Sequence, residues 1–367
     1  MKRKIHFLVL ASFSNMGGIE KFNRAFMKAF IESEAVLNCE FTASGMYDTA
    51  ADLNYISSDR FKAFNGRRWL FVIINFIQSL SKQELILGHI NLAIIGVLLK
   101  QVLPSKKLTV ICHGIEVFQP LSGVKKKLLE KANTILAVSS FTKEQLISVQ
   151  KIDGKKIHIF PNTLDPYFEL PDSFDKPGNL QERYGVTDKH KILFTLTRLN
   201  AAEGYKGYDK VIRSIPALLK KGYSVKYILG GKADVKEKDT VESLIASLGL
   251  QQHVTLAGYI NENEVTDHYK LADVFVMPSK GEGFGIVYLE AMACGVPVIA
   301  GNKDGSTEAL QFGKLGTLIN PDSEQEMEAA LQNVLEFNGN PRQLQTEMLQ
   351  HFSFENFVNR LQKIFSN

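Results

Sequence analysis

Two glutamates eight residues apart, Glu282 and Glu290, offer the most specific chemistry in this chain. They lie within residues 272–300, ADVFVMPSKGEGFGIVYLEAMACGVPVIA. Residues 273–278 form a short apolar, β-branched run closed by proline, which predicts a buried parallel strand. Gly281, Gly283 and Gly285 then surround Glu282. Residues 286–294 have helical spacing, Gly295-Val296-Pro297 ends the helix, and residues 298–300 are a second apolar strand. A glycine-rich turn from a parallel strand into a helix aims backbone N–H groups, and the positive end of the helix dipole, at whatever sits above the sheet. Such a ligand is anionic or rich in oxygen. Two carboxylates beside an anion site make sense as acceptors for hydroxyl groups, which sugars and riboses supply. An ordinary nucleotide-binding turn with two solvated glutamates is the plainer alternative.

The elements that would position these groups form two series. Residues 5–10, 108–112, 134–138 and 157–160 are short apolar strands separated by helical segments, the pattern of a parallel sheet with helices on both faces. Residues 161–179, PNTLDPYFELPDSFDKPGN, carry four prolines and little periodicity, and read as a linker. A second series follows: strand 191–197, helix 208–221, strand 225–229, helix 240–248 and strand 254–256, continued by the glutamate-bearing segment. Two Rossmann-like halves place a ligand cleft between them, at the carboxyl ends of the strands. The last segment, 352–365, is an amphipathic helix carrying Phe354, Phe357, Leu361 and Phe365.

Size and composition agree with this division. A chain of 367 residues, 45% hydrophobic and 22% charged, can build two cores. Cys39, Cys112 and Cys294 lie in separate segments without metal or disulfide spacing, which fits a reducing cytoplasm. The opening MKRKIHFLVLASF mimics a signal peptide, but its short apolar run leads into Asn15-Met16-Gly17-Gly18 rather than a cleavage site, and reads as the first strand. The apolar stretches 69–77 and 85–99 fall short of the roughly 20 residues that span a bilayer. Of the net charge of +4, residues 1–170 hold +8 (22 Lys and Arg against 14 Asp and Glu) and the rest −4. Two concentrated basic spots, at 60–69 and 125–131, suit either an anionic bilayer surface or a solvated helix face. No recognition module accompanies the charge, so nucleic acid is not expected as a partner.

The stretch EGFGIVYLEAMACGVPVIA, with its glutamate, seven residues, glutamate spacing, resembles glycosyltransferase family 4, retaining enzymes of group 1. The resemblance implies an α/β GT-B fold, two Rossmann-like domains facing across a cleft. It divides the chain into an acceptor-binding domain 1–168, a donor-binding domain 169–350 and a helix 351–367 crossing back to the first domain. By the same resemblance Glu282 would bind the donor sugar hydroxyls, Phe284 and Gly285 would offer backbone amides beside Gly283, and Glu290 would hold the ribose. Transfer of a glycosyl group from a nucleotide diphosphate needs cations on the leaving group. Arg198 directly follows a strand and Lys206 precedes a glycine at a helix start, and the family grips the diphosphate with such a pair. Residues 200–205 make the intervening loop longer than the commonest family spacing. Such a pair would also replace a metal; no Asp-x-Asp is present, and neither metal nor further cofactor is expected.

In the first half, Gly17 and Gly18 follow the first strand, where glycines let backbone approach a phosphate or the transferring sugar. They match the family's glycine-rich N-terminal loop. His113 ends the strand 108–112 and should face the cleft, where the family places a histidine near the donor sugar. His89, His158, His253 and His268 are given no role. The implied function is retaining transfer from a UDP- or GDP-sugar, UDP favoured, to a glycan or lipid-linked acceptor in cell-surface polysaccharide or glycolipid synthesis. The implied location is the cytoplasm, at the inner membrane face where the basic spots meet lipid. A nucleotide-sugar epimerase and a non-catalytic sugar-binding assembly partner share the fold and are the alternatives.

Overall fold

Apolar runs without alternation, such as Ile5 to Val9 and Val274 to Met277, suit strands covered on both faces. They become inner strands of two all-parallel sheets in the computed structural model, which describes residues 2–337 and 339–366. The chain forms two units, one of residues up to Tyr167 together with Phe352 onward, the other Phe168–His351.

The first unit holds a seven-stranded sheet in the order β3-β2-β1-β4-β5-β6-β7. Its strands are β1 (Arg3–Val9), β2 (Cys39–Gly45), β3 (Phe61–Ala63), β4 (Glu84–Leu87), β5 (Lys107–Cys112), β6 (Thr134–Ala137) and β7 (Ile157–Ile159). Helices α1 (Gly18–Ser33), α2 (Arg68–Ser81), α3 (Ala93–Val102), α4 (Gly123–Lys131) and α5 (Ser140–Ser148) cover it. Strand order reverses between β1 and β4, so the loops leaving those strands border a crevice at the carboxyl edge.

The second unit begins with α6 (Gly178–Tyr184) and holds six strands in the order β10-β9-β8-β11-β12-β13. Chain order is β8 (Lys191–Leu196), α7 (Tyr208–Lys220), β9 (Val225–Gly230), α8 (Val235–Ser247), β10 (Val254–Gly258), α9 (Glu262–Leu271) and β11 (Val274–Met277). Then come α10 (Ile286–Ala293), β12 (Val298–Gly301), α11 (Ser306–Ala309), β13 (Thr317–Ile319), α12 (Glu324–Glu336) and α13 (Pro341–Phe352). Here the order reverses between β8 and β11. The loops after those two strands therefore meet at the switch point, and they are the loops carrying Arg198, Lys206 and Glu282.

Two local expectations are corrected. Helix α8 starts at Val235, not at 240, because Asp234 accepts from the Glu237 N–H at 2.8 Å and caps it five residues earlier. The C-terminal amphipathic segment does not start at Phe352. There α13 ends, and the Ser353 hydroxyl accepts from the Asn356 N–H to begin α14 (Phe354–Phe365). The 69–77 stretch is part of the fourteen-residue α2. Helix α14 belongs to the first unit and packs on α1. Its Phe357, Leu361 and Phe365 are buried in an aromatic layer, with Phe160 to Phe357 ring centroids at 4.5 Å and Phe30 to Phe365 at 4.9 Å. All three cysteines are buried free thiols.

Candidate active site

Lys206 and Glu282 come together at the switch point of the second unit. The ammonium of Lys206 pairs with Glu282 Oε1, and the two side chains are only 13% and 15% exposed. Burial pushes the Lys206 ammonium down, but the Glu282 carboxylate beside it more than offsets this, so its pKa lies above the ordinary value. Gly207 makes this approach possible. It sits at φ +76°, and a Cβ there would lie 2.7 Å from the Pro278 carbonyl oxygen, so the loop after β8 can rest directly on the end of β11. Lys280 N–H completes the seam by donating to the Tyr205 carbonyl at 2.9 Å.

Arg198 is brought near but is paired elsewhere. Its guanidinium bonds Glu203 Oε1 at 2.7 Å and its side chain is 70% exposed. Arg198, Glu203, Lys206 and Glu282 all act electrostatically on the Tyr205 hydroxyl, and Lys206 Nζ lies 5.3 Å from that ring's centroid. Two ion pairs thus act on the same tyrosine hydroxyl. Each cation is paired with a carboxylate.

The backbone of Glu282 is held from a third loop. Its N–H donates to Asp304 Oδ2 at 2.7 Å, its carbonyl accepts from the Gly305 N–H at 2.9 Å, and Asp304 Oδ1 accepts from the Ser306 N–H at 3.0 Å. Burial raises the Asp304 carboxyl to about 6. The sequence reading missed Glu203, Tyr205 and Asp304. The signal for Asp304 was the Asp-Gly-Ser-Thr-Glu run at 304–308, an N-terminal helix pattern just after β12.

Gly285 opens α10 at φ +91°, and a Cβ there would lie 2.3 Å from the Tyr288 ring. That ring cannot yield, because its hydroxyl donates to the Met277 carbonyl at 2.9 Å and accepts from Ser306 Oγ at 3.1 Å. Gly283 lies against Gly305, where any side chain would strike its carbonyl. Phe284 is buried. Glu290, expected to meet a ribose, has no exposed surface, and the Tyr269 hydroxyl donates to its Oε2 at 3.0 Å. Contact with a ribose therefore requires a rearrangement of this side chain. The reason is its place one turn inside α10, on the side facing α9.

In the first unit, His113 follows β5 beside the β1–β4 switch point. Its Nε2–H donates to the Gly88 carbonyl at 2.7 Å, which leaves Nδ1 as the acceptor, and its N–H donates to Glu116 Oε1 at 2.5 Å. Gly17 is in extended backbone and Gly18 is the first residue of α1, with open space where its Cβ would be. Neither glycine is required by local conformation. The backbone of residues 12–14 is already committed, since all three N–H groups donate to the buried Asp48 carboxylate. His89 caps the turn 90–92 and lies parallel to His113 with centroids 6.2 Å apart.

Burial holds His6, His89 and His113 at about 4, against 6.5 in an unfolded chain. These neutral imidazoles cost nothing above pH 6.5. As pH falls from 6.5 toward 4 the unfolded chain takes up protons that the folded one refuses, and stability drops. Asp304 opposes them, since its raised carboxyl favours the folded state as it protonates below about 6. Burial also lowers His268 and raises Glu84, so four imidazoles stand against two carboxyls and a net fall in melting temperature is predicted across that interval. The variant His6→Gln, which keeps a partner for Asn75, should flatten the slope; an unchanged slope would remove His6 from the account. Among the described residues, no three His, Cys, Asp or Glu side chains gather as metal ligands.

The sequence pattern described as glycosyl transferases group 1 matches residues 179–349. A GDP-mannose-dependent alpha-(1-6)-phosphatidylinositol monomannoside mannosyltransferase of Mycolicibacterium smegmatis is 31% identical over 239 residues, 62% of this chain and 60% of that protein. An uncharacterized glycosyltransferase of Methanocaldococcus jannaschii is 32% identical over 193 residues, 52% of this chain and 48% of that protein. The chain thus aligns with between about half and three-fifths of these curated relatives. The crystal structure of Anabaena Alr3699/HepE in complex with UDP and glucose superposes with a TM-score of 0.78 at 19% identity, covering 99% of both chains. At that identity the likeness concerns the fold: two Rossmann-like domains of the GT-B type.

Proposed function

We propose that the protein is a glycosyltransferase using a nucleotide diphosphate sugar, a reading that starts from the match of residues 179–349 to the glycosyl transferases group 1 pattern. The observation that carries this reading is the Lys206–Glu282 pair at the switch point, beside the glycine-opened start of α10. When a donor binds, Lys206 and Arg198 turn from their carboxylates to the diphosphate. Glu282, released, accepts hydrogen bonds from the donor sugar hydroxyls, and Glu290 turns from the Tyr269 hydroxyl to reach the ribose. The bond from the sugar C1 to the phosphate oxygen breaks as the acceptor oxygen bonds C1 on the same face. The acceptor's proton passes to the leaving phosphate, so configuration is retained. His113 supplies a neutral imidazole at the carboxyl edge of the first sheet for polar contact with the sugar, and Gly17 and Gly18 offer backbone to it.

Lys206 and Arg198 provide the charge that a divalent ion would otherwise bring, so the reaction is proposed to be metal-independent. The acceptor is proposed to be a glycan or lipid-linked sugar in cell-surface polysaccharide or glycolipid synthesis at the inner membrane face. One relative is named for GDP-mannose and one fold neighbour was solved with UDP; we favour UDP. The test is thermal melting with UDP, GDP, ADP and their sugar conjugates, with and without EDTA. A ligand at about 100 times its Kd stabilises by about 2.7 kcal/mol. One base is expected to raise the melting temperature, with EDTA making no difference. No response to any of them would remove the donor site, and loss of the response in EDTA would remove metal independence.

A further inference from the structure

Helix α2 is apolar on both sides: Phe71 is in the core and Val72, Ile74 and Phe76 pack against it, yet large apolar side chains also face outward. Its buried positions are Phe71, Asn75 and Ser79, and two of these are polar. Asn75 and Ser79 are satisfied inside: Asn75 Oδ1 bonds His6 Nε2 at 2.9 Å, and Ser79 Oγ donates to the Asn75 carbonyl at 2.6 Å. The outward side chains are Trp69 (81% exposed), Leu70 (43%), Ile73 (55%), Ile77 (60%) and Leu80 (38%). A water-facing helix surface normally carries charge there. Helix α3 extends the surface with Ile94, Leu98 and Val102, all outward. The connections through α2, α3 and α4 step the same way across the sheet, so these helices share one face of it, and α3 packs against both neighbours. Eight exposed apolar side chains on adjoining helices make a contiguous patch rather than scattered singles.

The charge around the patch is mostly positive, with Asp59, Glu116 and Glu130 as the acids at its margins. From Arg60 to Ile115 the sequence holds eight Lys and Arg and one acid, Glu84. Glu84 is buried in the sheet, where it accepts from Thr109 Oγ1 at 3.0 Å. Exposed Arg67 and Arg68 open α2, Lys82 closes it, and exposed Lys127 and Lys131 lie on α4 beyond α3. An apolar stripe with a tryptophan at one end and cations at both suits the boundary between acyl chains and anionic headgroups. A second copy of the chain fits worse, because a two-fold pairing sets each cationic rim against its twin. No helix of the described residues is long and apolar enough to cross a membrane, so the stripe can only lie along the surface.

We propose that the α2–α3 face docks on an anionic lipid bilayer, with Trp69, Leu70, Ile73, Ile77 and Leu80 entering the acyl boundary and Arg67, Arg68 and Lys82 at headgroup level. This goes beyond the transfer reaction and stands whether or not that reading holds. Trp69 is the only tryptophan of the chain, so its emission reports on this face alone. The experiment adds vesicles of phosphatidylcholine mixed with phosphatidylglycerol, or of phosphatidylcholine alone, to the full chain. The anionic vesicles should shift Trp69 emission to the blue and let brominated lipid quench it, and salt should weaken the effect. Ile73→Ser and Ile77→Ser should each lower partitioning by about tenfold. Both positions face solvent, so melting temperatures should stay within a few degrees of the parent. Unchanged emission with anionic vesicles would overturn the proposal, as would serine variants that bind as well as the parent. A blue shift that grows with protein concentration without lipid, together with a doubled mass by light scattering, would overturn it in favour of a second copy.

Discussion

Glutamine in place of Glu282 is expected to lower glycosyl transfer by about 10²–10³-fold, the usual effect of removing one preorganised polar partner of a transition state. Glutamine keeps the shape and part of the contact to Lys206 but loses the charge that accepts from sugar hydroxyls. The Asp304 and Gly305 bonds that hold the loop are made to the backbone of Glu282, so they survive the substitution. Affinity for the free nucleoside diphosphate should change little, since the role assigned to Glu282 is toward the sugar. Measuring kcat beside the diphosphate Kd separates the two. A variant that loses diphosphate affinity and keeps kcat would reverse the division of labour between Glu282 and Lys206.

Lys206→Ala should act on the other side of the same pair. The diphosphate loses a charge-assisted contact of about 1.5–3 kcal/mol, which is roughly a 10–100-fold weaker Kd. The substitution also leaves Glu282 with 15% of its side chain exposed and no Lys206 beside it, so the folded state should be destabilised, by as much as about 3 kcal/mol. Stability and ligand affinity are separated by a double-mutant cycle. Lys206→Met combined with Glu282→Gln removes both charges, and should melt closer to the parent than the sum of the single losses while still binding diphosphate weakly. Full diphosphate affinity in the double variant would make the pair a structural bridge and not part of the donor site.

The glycine-rich turn at 281–285 and its helix were legible because they are local. Strand, turn and helix follow one another within residues 274–293, and the glycine at 285 has a conformational reason that a neighbouring ring enforces. The two alternating series were legible for the same reason. Strands β2 and β4 were not singled out: β2, CEFTASG, mixes polar with apolar residues, and β4 is only four residues long beside the apolar α3. The outward face of α2 was also hidden. Trp69, Ile73 and Ile77 have the spacing of an ordinary buried stripe, and nothing local says which side of the helix meets the sheet.

By itself, then, the sequence determined the two alternating series, though not β2 or β4, and which residue types stand at the strand ends it recognised, because these follow from periodicity and turn chemistry over a few residues. Only the tertiary structure decided the partners. It set Lys206 against Glu282 across 76 residues and gave Arg198 to Glu203. It closed Glu290 behind Tyr269 and pinned Glu282 by an aspartate 22 residues on. The Arg198–Glu203 pair lies within one loop; the others depend on which elements lie side by side, and that is settled by how each core packs, not by any local pattern.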